Sequence, residues 1–222
     1  LKNLLKIQEV EGLMISSNFA VIITPVNKVD EIKKLVIRIV NIDEFFTILT
    51  LNDISPVEAS GAPVFNTSPY LKLNGRGVLV GVIDTGIDYL NKEFQMEDDT
   101  TRKVRLWDQT IQGDTNIYGL KYGTEYTEEQ INQAISLQTS GGDPYSIVPS
   151  KDEIGHGTKV SGIIGGRGIN PDLKGAAPDC KFVIVKLSRA TKVELDAALI
   201  DKTDVPSYNP WSVLLGIRYV VS

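Results

Sequence analysis

The first fifty residues alternate between helical and strand-like spacing of apolar positions. Leu1, Leu4, Leu5 and Val10 share one face of a helix, so the chain is expected to open on an amphipathic helix. Residues 12–24 (GLMISSNFAVIIT) are rich in β-branched and aromatic side chains and predict one strand or a hairpin. Asn27 can cap a helix whose first turn carries Asp30 and Glu31, which favour the positive helix end. Val29, Ile32, Leu35, Val36, Ile39 and Val40 then recur at helical spacing, and Phe45 to Leu51 reads as a further strand. Residues 1–51 therefore predict a small α+β unit, a strand–helix–strand module short of an initial strand. Residues 52–76 carry Pro56, Pro63, Pro69, Gly61 and Gly75 among Ser, Asn and Asp, and predict a protease-accessible linker.

From Gly77 the pattern changes. Val78 to Ile83 is an unbroken apolar run, expected of a strand buried on both faces of a parallel sheet. Val104 to Thr110 predicts a second strand and Cys180 to Leu187 another buried one. Helices are expected over Glu125–Gln138, capped by Thr124 or Thr127, over His156–Ile164, and over Trp211–Val221. The first of these presents Ile131, Ile135 and Leu137 and stops at Gly141-Gly142-Asp143-Pro144. Strands alternating with helices imply crossover connections, so the expected fold class is α/β with a parallel sheet, preceded by the α+β unit.

Composition narrows the chemistry. One Cys among 222 residues cannot build a disulfide framework, and one Cys with one His does not make a usual zinc site. A net charge of -5 provides no electrostatic footprint for nucleic acid. No apolar run approaches the ~20 residues of a membrane-spanning helix. Residues 1–20 lack a basic start followed by an unbroken apolar stretch, so no signal peptide is read. The sequence opens at Leu1 rather than Met, and a longer native N-terminus is expected. Compartment stays open between spore or cytoplasm and secretion.

Two short segments carry reactive chemistry. Asp84, followed by Thr85-Gly86, stands at the carboxyl end of a buried strand, where open α/β sheets gather catalytic groups. Asp-Thr-Gly alone is ambiguous: aspartic proteases share it, but they need two such carboxylates and this chain has one copy. A turn-capping Asp is the plain alternative. His156, the one histidine, lies between Gly155 and Gly157 at the start of a helix. An Asp at a strand end and a His at a helix N-terminus are the orienter and general base of a charge-relay triad. Asp152, four residues before His156, is a second possible orienter, less well placed than Asp84.

Val82-Ile83-Asp84-Thr85-Gly86-Ile87-Asp88 resembles the aspartate motif of subtilisin-like serine proteases. Gly155-His156-Gly157-Thr158-Lys159-Val160-Ser161-Gly162-Ile163 resembles their histidine motif, in the family's Asp-then-His order. Gly175-Ala176-Ala177-Pro178 and the strand ending Val185-Lys186-Leu187 are similar to the next family segment. Leu106-Trp107-Asp108-Gln109-Thr110, Tyr122-Gly123-Thr124-Glu125-Tyr126, Ile147-Val148-Pro149-Ser150 and Val205-Pro206-Ser207-Tyr208 resemble the Csp group of subtilases from spore-forming anaerobes.

The resemblance implies a serine endopeptidase with Asp84 and His156 as two members of an Asp-His-Ser triad. It implies three regions: an inhibitory, folding-assisting propeptide of ferredoxin-like fold over residues 1–55, a linker over 56–76, and the first part of the peptidase domain over 77–222. The family's oxyanion Asn and Gly-Thr-Ser nucleophile segment have no match here. Ser222 falls in the helix that precedes the Asn-bearing strand, and Ser161 reads as a packing residue of the histidine helix. The 222 residues alone are therefore expected to be inactive. The alternative is a non-catalytic, subtilase-fold regulator or binding module. Expected partners are a protein or peptide substrate and the propeptide or a missing C-terminal part of the catalytic domain, with no nucleic acid and no membrane. The chemistry requires no cofactor.

A structural calcium is possible, with Glu93, nine residues after Asp84, as a candidate ligand against the plain reading of a solvated loop carboxylate. Asp88 reads as a turn residue, Glu97, Asp98 and Asp99 as a solvated acidic loop, Trp107 as a core or interface anchor, and Cys180 as a buried structural thiol.

Overall fold

The computed structural model describes residues 10–15, 20–35, 49–50, 62, 68, 70–71, 73–113, 116–117, 119–197 and 206–222. The helix expected around Leu1, Leu4 and Leu5, the Val36, Ile39 and Val40 end of the second helix, most of the strand from Phe45 and nearly all of the linker lie outside them. Internal contacts divide the chain into two compact units. One comprises Leu1–Thr50, Gly113–Tyr122 and Arg189–Ser222, and the other Leu51–Gln112 and Gly123–Ser188.

In the first unit, β1 (Glu11–Met14) and β2 (Ala20–Ile23) form an antiparallel hairpin, with Glu11 opposite Ile23 and Met14 opposite Ala20. Helix α1 (Val29–Leu35) has Asp30 and Glu31 in its first turn and Lys33 and Lys34 in its last, complementing the helix dipole at both ends. A 3₁₀ turn over Val26–Lys28 precedes it, so Asn27 lies within that turn. Val10 and Ile32 are buried together, with Ile22 against them. Strand β3 (Leu49–Thr50) pairs with a later strand of the same unit.

The second unit holds the main sheet. Strand β4 (Leu79–Asp84) runs parallel to β9 (Lys181–Lys186), which runs parallel to β5 (Lys103–Asp108); β8 (Thr124–Thr127) joins β5 antiparallel. The sheet is thus mixed, in the order β4-β9-β5-β8. The short hairpin β6 (Asn116–Ile117) and β7 (Leu120–Lys121) belongs to the first unit. Central β9 is buried almost throughout, as its apolar run predicts. Strand β4 is not: Val78 and Leu79 are half exposed and only Val82 and Asp84 of the strand are buried, β4 being paired among the described residues with β9 alone.

Helix α2 (Glu128–Thr139) begins three residues later than its apolar spacing predicts. Residues 124–127 are taken by the ladder with β5, where Arg105 stands opposite Thr127 and Asp108 opposite Thr124. Thr127 then caps the helix in a reciprocal box: its Oγ1 accepts from Gln130 N, and Gln130 Oε1 accepts from Thr127 N. Ile131, Ala134 and Ile135 meet Leu106, Tyr126, Phe182 and Ile184 in one apolar core, while Leu137 is only half buried.

Helix α3 (His156–Gly165) is anchored at its far end by Arg102, a buried guanidinium just before β5. Arg102 donates to Gly165 O at 2.6 Å, to Cys180 O at 2.6 and 2.9 Å, and to Glu93 O at 3.2 Å. A cation at the negative helix end is favourable and satisfies a carbonyl that the helix itself leaves unpaired.

Back in the first unit, α4 (Lys192–Ala197) has no counterpart among the elements expected from the sequence. Strand β10 (Ser207–Tyr208) pairs with β3, and α5 (Pro210–Val220) follows with Pro210 at its first position.

Candidate active site

Asp84 is the last residue of β4 and His156 the first of α3, and the fold brings them together. His156 Nδ1 lies 2.8 Å from Asp84 Oδ1 and 3.1 Å from Oδ2. Both side chains are largely withdrawn from water, with 14% and 9% of their surfaces exposed, so the pair is little screened. A carboxylate oxygen accepts, so the contact is a hydrogen bond in the tautomer that carries its proton on Nδ1. Asp84 Oδ1 also accepts from Thr85 N at 2.7 Å, which fixes the rotation of the carboxylate.

Two glycines allow the close approach. Gly155 caps α3 at φ 81°, a left-handed conformation that costs glycine little. At Gly157 the constraint is space: a Cβ there would stand 2.1 Å from Gly86 O. Because Gly155 has no side chain with which to cap, other groups take the first-turn amides. Thr85 Oγ1 accepts from Gly157 N at 2.8 Å, and Asp152 Oδ2 from Thr158 N at 2.9 Å. Burial pushes the Asp152 carboxyl upward, but bonds from Thr158, Thr85 and Gly155 outweigh it and hold the group below the usual carboxylate range.

The sheet places a row of charge at the same edge. Asp84 of β4, Lys186 of β9 and Asp108 of β5 are aligned across three neighbouring strands. Lys186 Nζ donates to Lys151 O at 2.6 Å and Glu153 Oε2 at 2.8 Å, and lies 3.7 Å from Asp108 Oδ2. It therefore ties down the 151–153 loop that leads to His156. Fully buried Asp108 is further satisfied by Ser150 Oγ, Thr110 N and Thr110 Oγ1.

Residues 75–204 match the sequence profile of the Subtilase family, peptidase S8, a stretch longer than half the chain. The chain belongs to the subtilase family. It is 33% identical over 120 residues to the PII-type proteinase of Lacticaseibacillus paracasei, and 31% identical over 126 residues to the PI-type proteinase of Lactococcus lactis subsp. cremoris. Each match covers 52% of this chain and 6% of the proteinase, so the chain spans a small fraction of the relatives it matches. The solved CspB protease of Clostridium perfringens aligns at 32% identity and a TM-score of 0.48, over 64% of this chain and 29% of that one. Subtilases are serine peptidases, and the fold class expected from the sequence, α/β with parallel strands, agrees with membership.

In this subtilase the other candidate residues are distributed as follows. Asp88 is exposed and closes a turn by accepting from Leu90 N. Glu97, Asp98 and Asp99 are exposed, and Trp107 is buried in β5. Cys180 is buried and forms no disulfide. Ser161 is buried five residues along α3 from His156, more than a third of a turn round the helix. Ser222 is exposed and donates to Tyr219 O.

Glu93 Oε2 accepts from Gly168 N at 2.6 Å and Oε1 from Asn170 N at 3.1 Å, which occupies one acceptor position on each carboxylate oxygen. No group of three or more His, Cys, Asp or Glu suited to a metal occurs among the described residues. Glu93 pins the loop after α3. Sequence reading weighs Asp152 only as a rival orienter and does not reach Thr85 or Lys186. The capless Gly155 is the available signal, since a helix start without a capping side chain must borrow acceptors from nearby.

Proposed function

We propose that the Asp84–His156 pair is the general-base half of a serine endopeptidase site. The observation that supports this most directly is the 2.8 Å contact between Nδ1 and Oδ1 in a subtilase. With Nδ1–H held by Asp84, Nε2 takes the proton of a serine hydroxyl as that oxygen attacks the peptide carbonyl. The resulting imidazolium is stabilised by the Asp84 carboxylate and returns the proton to the departing amine. A water, deprotonated by the same Nε2, then releases the acyl group, and the proton passes back to serine.

Neither Ser161 nor Ser222 serves as nucleophile, and the proposal assigns the serine and the oxyanion-binding donors to residues outside these 222. By themselves the 222 residues are proposed not to cleave peptides. Residues 1–55 act in this reading as an inhibitory propeptide, removed by a cut between residues 51 and 62.

Treating the protein with a fluorophosphonate probe and measuring intact masses tests the proposal. An adduct on a serine, lost in both Asp84→Asn and His156→Ala, is the expected result. An adduct unaffected by both substitutions refutes the base assignment. A full chain that is never phosphonylated favours the regulatory alternative. N-terminal sequencing of the processed protein tests the cut, and a start outside 52–62 overturns its placement.

A further inference from the structure

Asp152 accepts four hydrogen bonds, none of them from the ring of His156. Oδ1 accepts from Thr85 Oγ1 at 2.7 Å and Gly155 N at 2.9 Å; Oδ2 accepts from Thr158 N at 2.9 Å and Thr158 Oγ1 at 2.6 Å. A carboxylate offers about four acceptor positions, and all are used.

The partners are placed in a consistent way. Thr85 adjoins Asp84 and Gly155 adjoins His156. Thr85 Oγ1, having given its proton to Asp152, accepts from Gly157 N at 2.8 Å, and Thr158 Oγ1 accepts from Asp88 N at 2.9 Å. Two direct bonds therefore bridge the segment after β4 and the first turn of α3, and Asp152 accepts from the hydroxyl at the centre of each, fixing its orientation. One bridge ends a single residue from each member of the pair. Together they fix how far α3 slides along the sheet edge and how it is rotated about its axis. The Asp84–His156 bond tolerates an error of only about 0.5 Å in that placement.

We propose that Asp152 is a positioning residue that sets the register between α3 and the end of β4, and so keeps His156 Nδ1 on Asp84. The proposal rests on the reading of Asp84 and His156 as orienter and base. Asparagine cannot replace Asp152, because each carboxylate oxygen faces one backbone N–H. In Asp152→Asn, either orientation of the side-chain amide would turn its NH₂ against the backbone N–H of Gly155 or of Thr158. A hydroxyl can rotate away from such a clash and a backbone amide cannot.

His156 is the one histidine of these 222 residues, and the imidazole signals that vanish in His156→Gln identify it in the protein. The ¹⁵N-labelled protein is compared with Asp152→Asn, Thr85→Val and Asp84→Asn by NMR, following the two ring nitrogens and the Nδ1 proton. Circular dichroism and protection of Cys180 from thiol reagents check the fold. In the native protein we expect a protonated Nδ1 with a slowly exchanging, low-field proton. Asp152→Asn should move the tautomer balance toward Nε2–H and make the Nδ1 proton exchange about tenfold faster or more. Thr85→Val, which cuts one bridge and keeps the carboxylate, should produce a smaller change in the same direction. If Asp152→Asn does not fold, Thr85→Val decides: native ring signals there overturn the proposal. Folded Asp152→Asn with native signals also overturns it, provided that Asp84→Asn alters them. If Asp84→Asn leaves the signals unchanged, the pairing of base and orienter fails, and the positioning role with it.

Discussion

Two glycines of one helix should respond to the same substitution with opposite sign. Gly157 and Gly162 both lie within α3. Replacing a helical glycine by alanine gains about 1 kcal/mol through lower backbone entropy in the unfolded chain. At Gly162 nothing lies within 4 Å of the added Cβ, so that gain should appear nearly whole. At Gly157 the Cβ would stand 2.1 Å from Gly86 O and 3.1 Å from Asp84 Oδ1, against ordinary contacts of 3.4–4 Å. The first obstacle is backbone, which cannot rotate aside as a side-chain tip can. The helix start must retreat by roughly 1 Å, at an overpacking cost of ~1–3 kcal/mol, which exceeds the entropic gain over most of that range. The net expectation is a loss of up to about 2 kcal/mol for Gly157→Ala and a gain of up to about 1 kcal/mol for Gly162→Ala. A retreat of that size also lengthens the 2.8 Å Nδ1–Oδ1 contact beyond hydrogen-bonding range. Urea unfolding followed by tryptophan fluorescence measures the first effect and the His156 Nδ1 proton signal the second. A Gly157→Ala protein as stable as Gly162→Ala, with that signal intact, would show that the Cβ is accommodated without displacing the helix.

Lys103 is fully buried, donating to Tyr89 O and Phe94 O at 3.3 Å each, and burial, reinforced by Arg102, pulls its ammonium down to about 7 from 10.5. Between those values the unfolded chain holds a proton that the folded chain lacks, so Lys103 makes stability rise with pH through that window and fall as pH drops toward 7. Urea midpoints at about pH 7 and pH 9 should show a dependence worth about 2–3 kcal/mol that Lys103→Met removes; an equal slope in both proteins contradicts this. Lys186→Met leaves Asp108 buried without its cation and should cost about 3–5 kcal/mol, with part regained in Asp108→Asn/Lys186→Met; a double-mutant cycle without recovery sinks the argument. Burial pushes the Cys180 thiol up, so thiol reagents should label it only in denaturant, and rapid labelling of the native protein would contradict its place in the core.

What is legible in the sequence follows from the range of the forces involved. Strand β9 and helix α3 are readable within a residue or so because an unbroken apolar run and a glycine-flanked histidine are local signals. The start of α2 is misplaced because Thr124 to Thr127 has acceptable helical spacing, and only the ladder with β5 decides against it. The exposure of β4 escapes for a similar reason: an apolar run says that a strand can be buried, whereas what packs against it decides whether it is. The Asp84–His156 pair can be picked out because each residue sits in its own diagnostic segment. Asp152 and Lys186 cannot be given their roles, since the partners that define them, Thr85 and Asp108, are 67 and 78 positions away in the chain.

The alignment of Asp84, Lys186 and Asp108 bears on assembly as well as on the site. Parallel strands joined by long crossovers have no tight turn to set their alignment, and apolar runs such as Phe182 to Val185 would pack tolerably in several offsets. Charge breaks that degeneracy. If β9 slid by one residue, Lys186 would change faces and Asp108 would be left sealed in the interior without its cation. If it slid by two, the ammonium would be drawn among apolar neighbours or thrust past the loop carbonyl that receives it. Each wrong offset thus exposes itself energetically before the helices close over the sheet, and the chain can discard it while the strands are still free to separate.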